Sequence, residues 1–254
     1  FDFMKMKSNV IINSTEIQVD FSQPIDISMP LHVGNDNPSA WYVTPPIIDP
    51  VRTDQFVGAV AEGGSVNFRN ISFNPHGHGT HTECVGHISK EIYSINKTLK
   101  TFFFLAELIS ITPKEQANGD RIITWDQVKS ALHNKNNEAI VIRTLPNSET
   151  KLSKQYSDTN PPFVEAEVMA QLIKLGVEHF LIDLPSVDKE VDGGVLAAHH
   201  AFWEHPENTN LNRTITELIY VPENVNDGQY LLNLQIAPFE NDASPSKPVL
   251  YAIS

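Results

Sequence analysis

Residues 74–87 of the chain read Asn-Pro-His-Gly-His-Gly-Thr-His-Thr-Glu-Cys-Val-Gly-His. This segment contains four of the ten histidines and one carboxylate, at His76, His78, His81, His87 and Glu83. Imidazole and carboxylate groups are the usual protein ligands of zinc, manganese and iron. Because so many of these groups fall within so short a segment, the sequence predicts a divalent metal site here.

The backbone conformation of this segment determines which side chains can meet. If residues 81–87 are extended, His81, Glu83 and His87 point to one side, because strand side chains alternate. The flanking glycines allow a tight turn that would bring His76 to the same site. Three other interpretations compete with a metal site: surface histidines in a turn, an expression tag, and a helical metalloprotease motif. A tag is contiguous and terminal, and no pair of histidines here has the spacing of the protease motif.

A second candidate cluster lies further along the chain, at His199 and His200 within the predicted helix 195–203. Just before it, residues 183–194 form an acidic, glycine-containing loop after a predicted strand, and sites in α/β domains are built on such loops. Adjacent side chains on a helix point about 100° apart, so only one histidine is expected to face a metal. Capping or packing of the helix by both histidines is the alternative.

Glu217 is a carboxylate flanked by apolar residues in a predicted strand. It either faces solvent or is buried against a cation, because a buried carboxylate must be paired.

Strands and helices alternate through the middle of the chain, and strands predominate at its two ends. Strands are predicted for 25–29, 102–111, 139–144, 180–183, 214–221, 230–237 and 249–253, and helices for 124–132, 163–175 and 195–203. Thr124 is the predicted N-cap of the first helix, and Gln127 closes a capping box. The pattern predicts one α/β domain over residues 1–254 with a mixed central sheet. Residues 35–50 and 145–162 are predicted to be long loops, which are often functional.

The composition excludes several classes of partner. The chain has 31 acidic and 18 basic residues and a net charge of −13, so neither nucleic acid nor an anionic membrane surface is expected to bind. No apolar run reaches the ~18 residues of a transmembrane helix. The single cysteine, Cys84, excludes an intrachain disulfide framework. The first residues lack the apolar core of a signal peptide, which predicts a cytoplasmic protein, while the start at Phe1 leaves open a signal cleaved upstream.

The run Gly79–His87 resembles the His-x-Gly-Thr-His-x-Asp-x-Pro-x-His signature of the cyclase family. These metal-dependent hydrolases include bacterial kynurenine formamidase and isatin hydrolase. Further resemblances follow in the family's order, at Asp26-Ile27-Ser28, Ile142-Arg143-Thr144, Asp183–Asp188, His199 and Glu217. The Gly-Thr-His portion is short, but the ordered set from residue 26 to residue 217 is much more specific.

The resemblance implies a single domain of the swivelling β/β/α type, with residues 1–20 as an N-terminal extension. It further implies a homo-oligomer, either dimer or tetramer, and one or two divalent ions, zinc first and manganese second. The metal ligands that it implies are His81, Glu83, His199 and Glu217, and His87 matches the family's acid/base histidine.

The sequence also departs from the family's signature. Gly77 stands where the family has its first histidine, so His76 is expected to take that role, with His78 as the alternate. His200 is the alternate to His199. Glu83 replaces an aspartate and Val85 a proline, which indicates a divergent branch.

The activity implied by the resemblance is hydrolysis of an amide, formamide or cyclic amide in a small-molecule substrate. A metal-activated water would attack, and His87 would transfer the proton. The aromatic residues Trp41, Tyr42, Phe202 and Trp203 would form an apolar wall for an aryl substrate, or simply part of the core. Two rival hypotheses remain: a non-catalytic metal-binding relative, and a metal-dependent cyclase or dehydratase.

Overall fold

The computed structural model of the protein describes residues 5–12, 15–134 and 136–254. Residues 1–4, 13 and 14, which belong to the expected N-terminal extension, lie outside the described residues. The strands are β1 (Lys7–Ile12), β2 (Thr15–Asp20), β3 (Ile25–Asp26), β4 (Ile47–Pro50), β5 (Arg52–Thr53), β6 (Phe56–Val57), β7 (Arg69–Ser72), β8 (His81–Glu83), β9 (Phe103–Ile111), β10 (Lys114–Glu115), β11 (Arg121–Ile123), β12 (Ala139–Thr144), β13 (Phe163–Val164), β14 (His179–Ile182), β15 (Thr214–Glu217), β16 (Gly228–Ile236) and β17 (Ala243–Ala252). The helices are α1 (Ile95–Thr98), α2 (Trp125–Ala131), α3 (Ala166–Lys174) and α4 (Ala197–Trp203).

The central sheet closes on itself. Its strands follow the order β16-β9-β12-β14-β15-β8-β17, and β17 pairs again with β16. Four neighbouring strands, β9, β12, β14 and β15, run parallel to one another. Each of the other three, β8, β16 and β17, is antiparallel to both of its neighbours in the barrel. β3 adds to the free side of β17. The sheet is therefore a mixed barrel, and the prediction of an α/β domain with a mixed sheet is confirmed.

Alternation along the strands sends side chains to two different cores. On β12, Ala139 and Val141 belong to the cluster inside the barrel, while Ile140 and Ile142 face the cluster that contains α2, α3 and α4. Both faces of these strands are buried, which explains why they read as continuous apolar runs instead of alternating ones. The helices thus cover one side of the barrel and leave the loops at its ends free to carry a site.

Smaller two-stranded sheets extend from the barrel. β1 and β2 form a hairpin whose Ile17 and Val19 pack against Leu105 and Leu231. β4 pairs with β7, and β5 pairs with β6, within residues 47–72. Among the described residues, none of the helices combines the length and the apolarity that crossing a membrane requires.

One predicted helix start is confirmed, whereas two predicted elements differ from the structure at one end. The capping box of Thr124 and Gln127 is present, as predicted. The helix predicted for 163–175 begins only at Ala166, because Phe163–Val164 pairs with β11 as a short parallel strand. The strand predicted for 214–221 ends at Glu217, where Leu218 takes a φ of 54°.

His179 on β14 predicts a pH dependence of folding. Its ring is buried against Phe104, with centroids 3.9 Å apart, and its Nδ1 lies 2.8 Å from Thr214 Oγ1. Burial lowers the pKa of His179 from 6.5 to about 4. Between pH 6.5 and pH 4, His179 is protonated in the unfolded chain but stays neutral in the folded protein. The free energy of unfolding therefore falls as the pH drops from 6.5 to 4. The loss amounts to about 3 kcal/mol in the free energy of unfolding.

We expect His179→Gln to remove this part of the pH dependence. Urea unfolding at pH 7.5 and at pH 4.5 measures it, with His32→Gln as the control because His32 is exposed. If the difference in the free energy of unfolding between the two pH values is the same in His179→Gln as in the wild type, the assignment is wrong.

Candidate metal centre

The centre of the candidate site is β8, which lies between β15 and β17. In the register, His81 is opposite Glu217, and Thr82 is opposite Thr216. Since neighbouring side chains on a strand point to opposite faces, His81, Glu83 and Glu217 share one face. Thr82 Oγ1 turns to the other face and lies 2.8 Å from Thr216 Oγ1.

Glu83 is the hub of the cluster. Its Oε2 lies 3.0 Å from His76 Nδ1 and 3.9 Å from His87 Nε2, and its Oε1 lies 3.1 Å from His199 Nε2. On the opposite strand, Glu217 Oε2 lies 3.4 Å from His81 Nε2. The structure therefore brings six predicted residues together from both candidate clusters, namely His76, His81, Glu83, His87, His199 and Glu217.

Hydrogen bonds behind the cluster orient its imidazole rings. His81 Nδ1 is 3.1 Å from the carbonyl oxygen of Gly79, and His199 Nδ1 is 2.6 Å from Asp188 Oδ2. When Nδ1 donates in this way, the Nε2 of each ring is directed into the cluster. Such outer hydrogen bonds are typical of histidines that bind metals.

Asp188 and Val187 connect the loop after β14 to the cluster. The Asp188 carboxylate also accepts from the backbone N–H groups of Ala198 and His199 at the start of α4, at 2.8 and 3.1 Å. The Val187 N–H donates to Glu217 Oε1 at 2.9 Å. This short segment therefore positions both His199 and Glu217.

His87 reaches the cluster by a different route from the one predicted. The strand ends at Glu83, Cys84 is still extended, and Val85–His87 form a 3₁₀ turn, so the expectation of a continuous extended segment from 81 to 87 is wrong. The turn leaves the His87 ring stacked on that of His76, with centroids 4.3 Å apart. About a third of the His87 side chain (30%) is exposed.

Asp242 is a member of the cluster that the sequence analysis missed. Its Oδ2 lies 2.7 Å from His76 Nε2 and 3.6 Å from His87 Nδ1. It stands just before β17, whose Ala243 is opposite Glu83. Only the pairing of β17 with β8 brings Asp242 here, and no local sequence motif signals that pairing.

The charges of the cluster are strongly coupled. Burial lowers the pKa of His76, but the nearby carboxylates of Asp242 and Glu83 outweigh burial and raise the pKa to about 10. Burial also lowers the pKa of His199, but Asp188 and Glu83 outweigh it and raise the pKa to about 10. Burial raises the pKa of Glu83, yet the neighbouring His87 and His199 bring it well below its usual range. The carboxylates of Glu83, Asp188 and Asp242 thus attract positive charge to this point.

The donor set fits a divalent metal ion. His81 Nε2 and Glu83 Oε2 are buried and make no hydrogen bond, although both lie inside the cluster. Buried polar atoms normally have a partner, and the exceptions need an explanation. Ligand atoms of three overlapping groups lie within 4.8 Å of one another: His76, His81 and Glu83; Glu83, His87 and His199; and His76, His87 and Asp242. Nitrogen and carboxylate donors in this number are what zinc and manganese bind.

Comparison with known proteins identifies the family. The profile of the Cyclase family matches residues 19–189. The chain belongs to the Cyclase family. Kynurenine formamidase of Bacillus cereus is 25% identical over 234 residues, which is 91% of this chain and 99% of that protein. The kynurenine formamidase of Bacillus cytotoxicus is 28% identical over 231 residues, 90% of this chain and 97% of its own.

A solved structure shares the fold. Isatin hydrolase A from Ralstonia solanacearum has a TM-score of 0.65 at 13% identity, covering 91% of this chain and 92% of its own. The fold predicted from the family resemblance is therefore confirmed.

The loop before β8 explains the departure from the Cyclase family signature at Gly77. Asn74 Oδ1 accepts from the backbone N–H groups of His76 and Gly77 at 2.9 and 3.0 Å, which closes a tight turn. A Cβ at Gly77 would stand 2.7 Å from Val43 Cγ2 and 3.2 Å from the carbonyl oxygen of Ala40, so a histidine has no room there. The preceding residue, His76, is the one whose ring enters the cluster.

The two alternate histidines lie outside the cluster. His78 is buried, and its Nδ1 accepts from the Asn74 N–H at 2.9 Å, beside a separate cavity. His200 Nδ1 lies 2.8 Å from the carbonyl oxygen of His205, and the two rings stack. Neither ring approaches Glu83 in the described structure.

The cluster opens into a cavity of about 420 Å³. His76, His87, His199 and Glu217 line its inner end, and Trp41 is part of its wall. The other three aromatic residues proposed as a wall do not line the cavity. Phe202 and Trp203 are buried in the core and Tyr42 is largely exposed.

Proposed function

We propose that the protein is a metal-dependent hydrolase that cleaves an amide, a formamide or a cyclic amide in a small molecule. The observation that carries this proposal is the pair of buried atoms without hydrogen bonds, His81 Nε2 and Glu83 Oε2. They belong to a cluster whose members His76, His87, His199 and Glu217 line an open cavity. The names of its relatives, kynurenine formamidase and isatin hydrolase, support hydrolysis at a carbonyl carbon next to nitrogen.

In this proposal the metal ligands are His76, His81, Glu83, His199 and Glu217, and zinc is the metal we expect first. When bound at such a site, a divalent cation lowers the pKa of water toward about 7 and polarises a carbonyl group. The two oxygens of Glu83 lie 3.0 Å from His76 Nδ1 and 3.1 Å from His199 Nε2, so Glu83 would hold the metal together with these two histidines.

We assign the acid/base role to His87. Its ring lines the cavity and is exposed enough to exchange protons with a substrate. It accepts a proton from the attacking water and delivers it to the leaving nitrogen. Asp242 Oδ2, 3.6 Å from Nδ1, stabilises the imidazolium between these two transfers.

The cavity favours a partly apolar substrate. Trp41 and Leu196 supply apolar surface, and Asn74 and Ser186 supply polar side chains. A volume of about 420 Å³ lies within the range of small-molecule sites and suits an aryl group that carries a formamide or a fused cyclic amide.

The choice between His76 and His78 can be tested by metal content. We expect His76→Ala to lose most of the bound metal, because its Nδ1 lies 3.0 Å from Glu83 Oε2. We expect His78→Ala to retain it, because that ring lies in another cavity. Plasma emission analysis of the two purified variants measures both, and loss of metal from His78→Ala alone would reverse the assignment.

The proposed activity is tested by assaying aryl formamides, cyclic amides, lactones and esters with the metal-loaded protein, with and without chelator. Mass spectrometry of the product should show the gain of one water molecule. Loss of water instead would support the cyclase or dehydratase hypothesis. Stoichiometric metal with no turnover of any of these substrates would support the non-catalytic hypothesis.

We also propose that the chain forms a homo-oligomer. Residues 47–72, which carry the paired strands β4–β7 and β5–β6, expose the large apolar side chains of Ile47, Val60, Val66, Phe68 and Ile71. A second copy would remove this apolar surface from water. Light scattering should give at least twice the monomer mass of 28.4 kDa, and a monomer at micromolar concentration would refute the proposal.

A further inference from the structure

A second cavity, of about 320 Å³, lies at the carboxyl ends of β9, β12 and β14. It shares no lining residue with the cavity of the candidate metal centre. Most of its wall comes from residues 145–162, the long loop that the sequence analysis singled out and that the proposed function leaves unused. In α/β domains with open sheets and with closed barrels alike, the loops at the carboxyl ends of parallel strands are where ligands bind.

Three cations line this cavity, and one of them is already neutralised. Lys151 Nζ lies 2.7 Å from Asp183 Oδ2, and also donates to Thr144 and Asn147. Lys151 is therefore fully paired within the protein and holds the loop against the end of β12. Its charge is not free to attract a ligand.

The other two cations, Arg121 and Lys154, have no carboxylate partner among the described residues (5–12, 15–134 and 136–254). The Arg121 guanidinium donates only to the carbonyl oxygen of Asn160, at 3.1 Å. Lys154 Nζ lies 5.0 Å from the centroid of the Tyr156 ring and makes no hydrogen bond in the same residues. Burial, together with the charges of Arg121 and Lys151, lowers the pKa of Lys154. Adjacent like charges disfavour one another, so an anion between them would be stabilised.

Neutral donors and an apolar wall complete the cavity. Burial, with the nearby Asp183, raises the pKa of Tyr156, so its phenol remains a hydrogen-bond donor. The hydroxyl groups of Ser148 and Thr150 line the same space, while Leu145, Pro146 and Leu184 contribute apolar surface. A guanidinium, an ammonium and hydroxyl groups around one cavity match an oxyanion, because arginine binds carboxylate and phosphate groups through paired hydrogen bonds.

We propose that this cavity is a binding site for a small molecule that carries an oxyanion, a carboxylate or a phosphate, on an apolar body. Arg121 and Lys154 neutralise the oxyanion, and the leucine and proline side chains contact the body. The site is separate from the metal centre and does not depend on the proposed hydrolase activity. Leu184 lines this second cavity and Ser186 lines the cavity of the metal centre, so the short segment 184–186 lies between the two sites.

The test is isothermal titration of the metal-loaded full chain at low ionic strength with benzoate, phenyl phosphate and inorganic phosphate, and with neutral benzamide. The variants are Arg121→Gln and Lys154→Met, and the matched control is Lys129→Met, an exposed lysine on α2. We expect one equivalent of an oxyanion ligand to bind, no comparable affinity for benzamide, and a Kd about tenfold or more higher in both variants. Tighter binding of phenyl phosphate than of benzoate would assign the site to phosphate esters, and the reverse to carboxylates.

Thermal unfolding provides a second readout that is independent of calorimetry. Without ligand, Lys154→Met should not melt below the wild type, because it removes one of two adjacent like charges. Arg121→Gln gains in the same way but also loses the hydrogen bond to the Asn160 carbonyl oxygen, so its Tm with ligand is compared with its own Tm without ligand. With ligand, the rise in Tm should disappear in both variants and persist in Lys129→Met. Undetectable binding of all three anions at millimolar concentration would overturn the proposal. Equal affinity in all four proteins would also overturn it, since the anion would then be bound elsewhere, for example at the metal.

Discussion

Replacing His87 by alanine should lower kcat by about 10²–10⁴-fold while the metal stays bound, the range expected for loss of one general acid–base group. His87 is the most exposed imidazole among the clustered residues and lies 3.9 Å from Glu83 Oε2, further than His76 or His199. It is therefore the ring that can be removed with the least effect on the ligand set. Metal content, Tm and kcat should be measured on the same preparation.

The controls separate catalysis from metal binding and packing. His87→Gln can form hydrogen bonds but does not titrate near neutral pH, so it should not restore the rate. His200→Ala is the matched control, since its half-buried ring is stacked on His205 outside the cluster, and it should retain wild-type kcat. If His87→Ala loses the metal, His87 is a ligand. If the folded, metal-loaded variant turns over at the wild-type rate, His87 has no role in the chemistry.

Glu83→Gln should lower metal affinity by more than about 100-fold, because loss of outer hydrogen bonds to ligands alone costs 10–100-fold. Glutamine keeps the size of the side chain but replaces an anionic acceptor with an amide. His76 and His199 would then lose the carboxylate that lies 3.0 and 3.1 Å from their rings. Competition with a fluorescent chelator measures the affinity, and hydrolysis should fall with it.

Glu107→Gln is the matched control for this change. Glu107 is as buried as Glu83, but its oxygens accept from the His133 N–H at 2.8 Å and from Asn137 Nδ2 at 2.7 Å. Its replacement should therefore reduce stability and leave metal binding unchanged. Full metal occupancy in Glu83→Gln would show that Glu83 is a structural carboxylate and that the ion is bound elsewhere.

Much of the fold could be predicted because its signals are local. The buried strand Ala139–Thr144 has the predicted bounds, since a short β-branched run allows few other structures. The capping box at Thr124 and Gln127 depends on two residues three positions apart. The start of α3 was predicted too early, because the pairing of Phe163–Val164 with β11 is a tertiary contact that helical periodicity does not reveal.

The candidate site shows the same division between local and tertiary signals. Three of its histidines, His76, His81 and His87, lie with Glu83 in one segment, and Glu217 is a polar residue among apolar ones. Asp242 had no such signal, because it joins the cluster only through the pairing of β17 with β8. The role of Gly77 also required the structure, since Val43 and Ala40 lie far away in sequence but leave no room for a side chain.

The most direct test of a metal-dependent hydrolase is the dependence of its rate on bound metal. The protein is stripped with chelator, zinc is added back in steps, and the initial rate of hydrolysis of an aryl formamide or cyclic amide is measured with the bound metal per chain. We predict background activity without metal and a rate that rises in proportion to bound zinc until one or two ions per chain are reached. Undiminished hydrolysis by the metal-free protein, or full occupancy without hydrolysis, would contradict the proposed function.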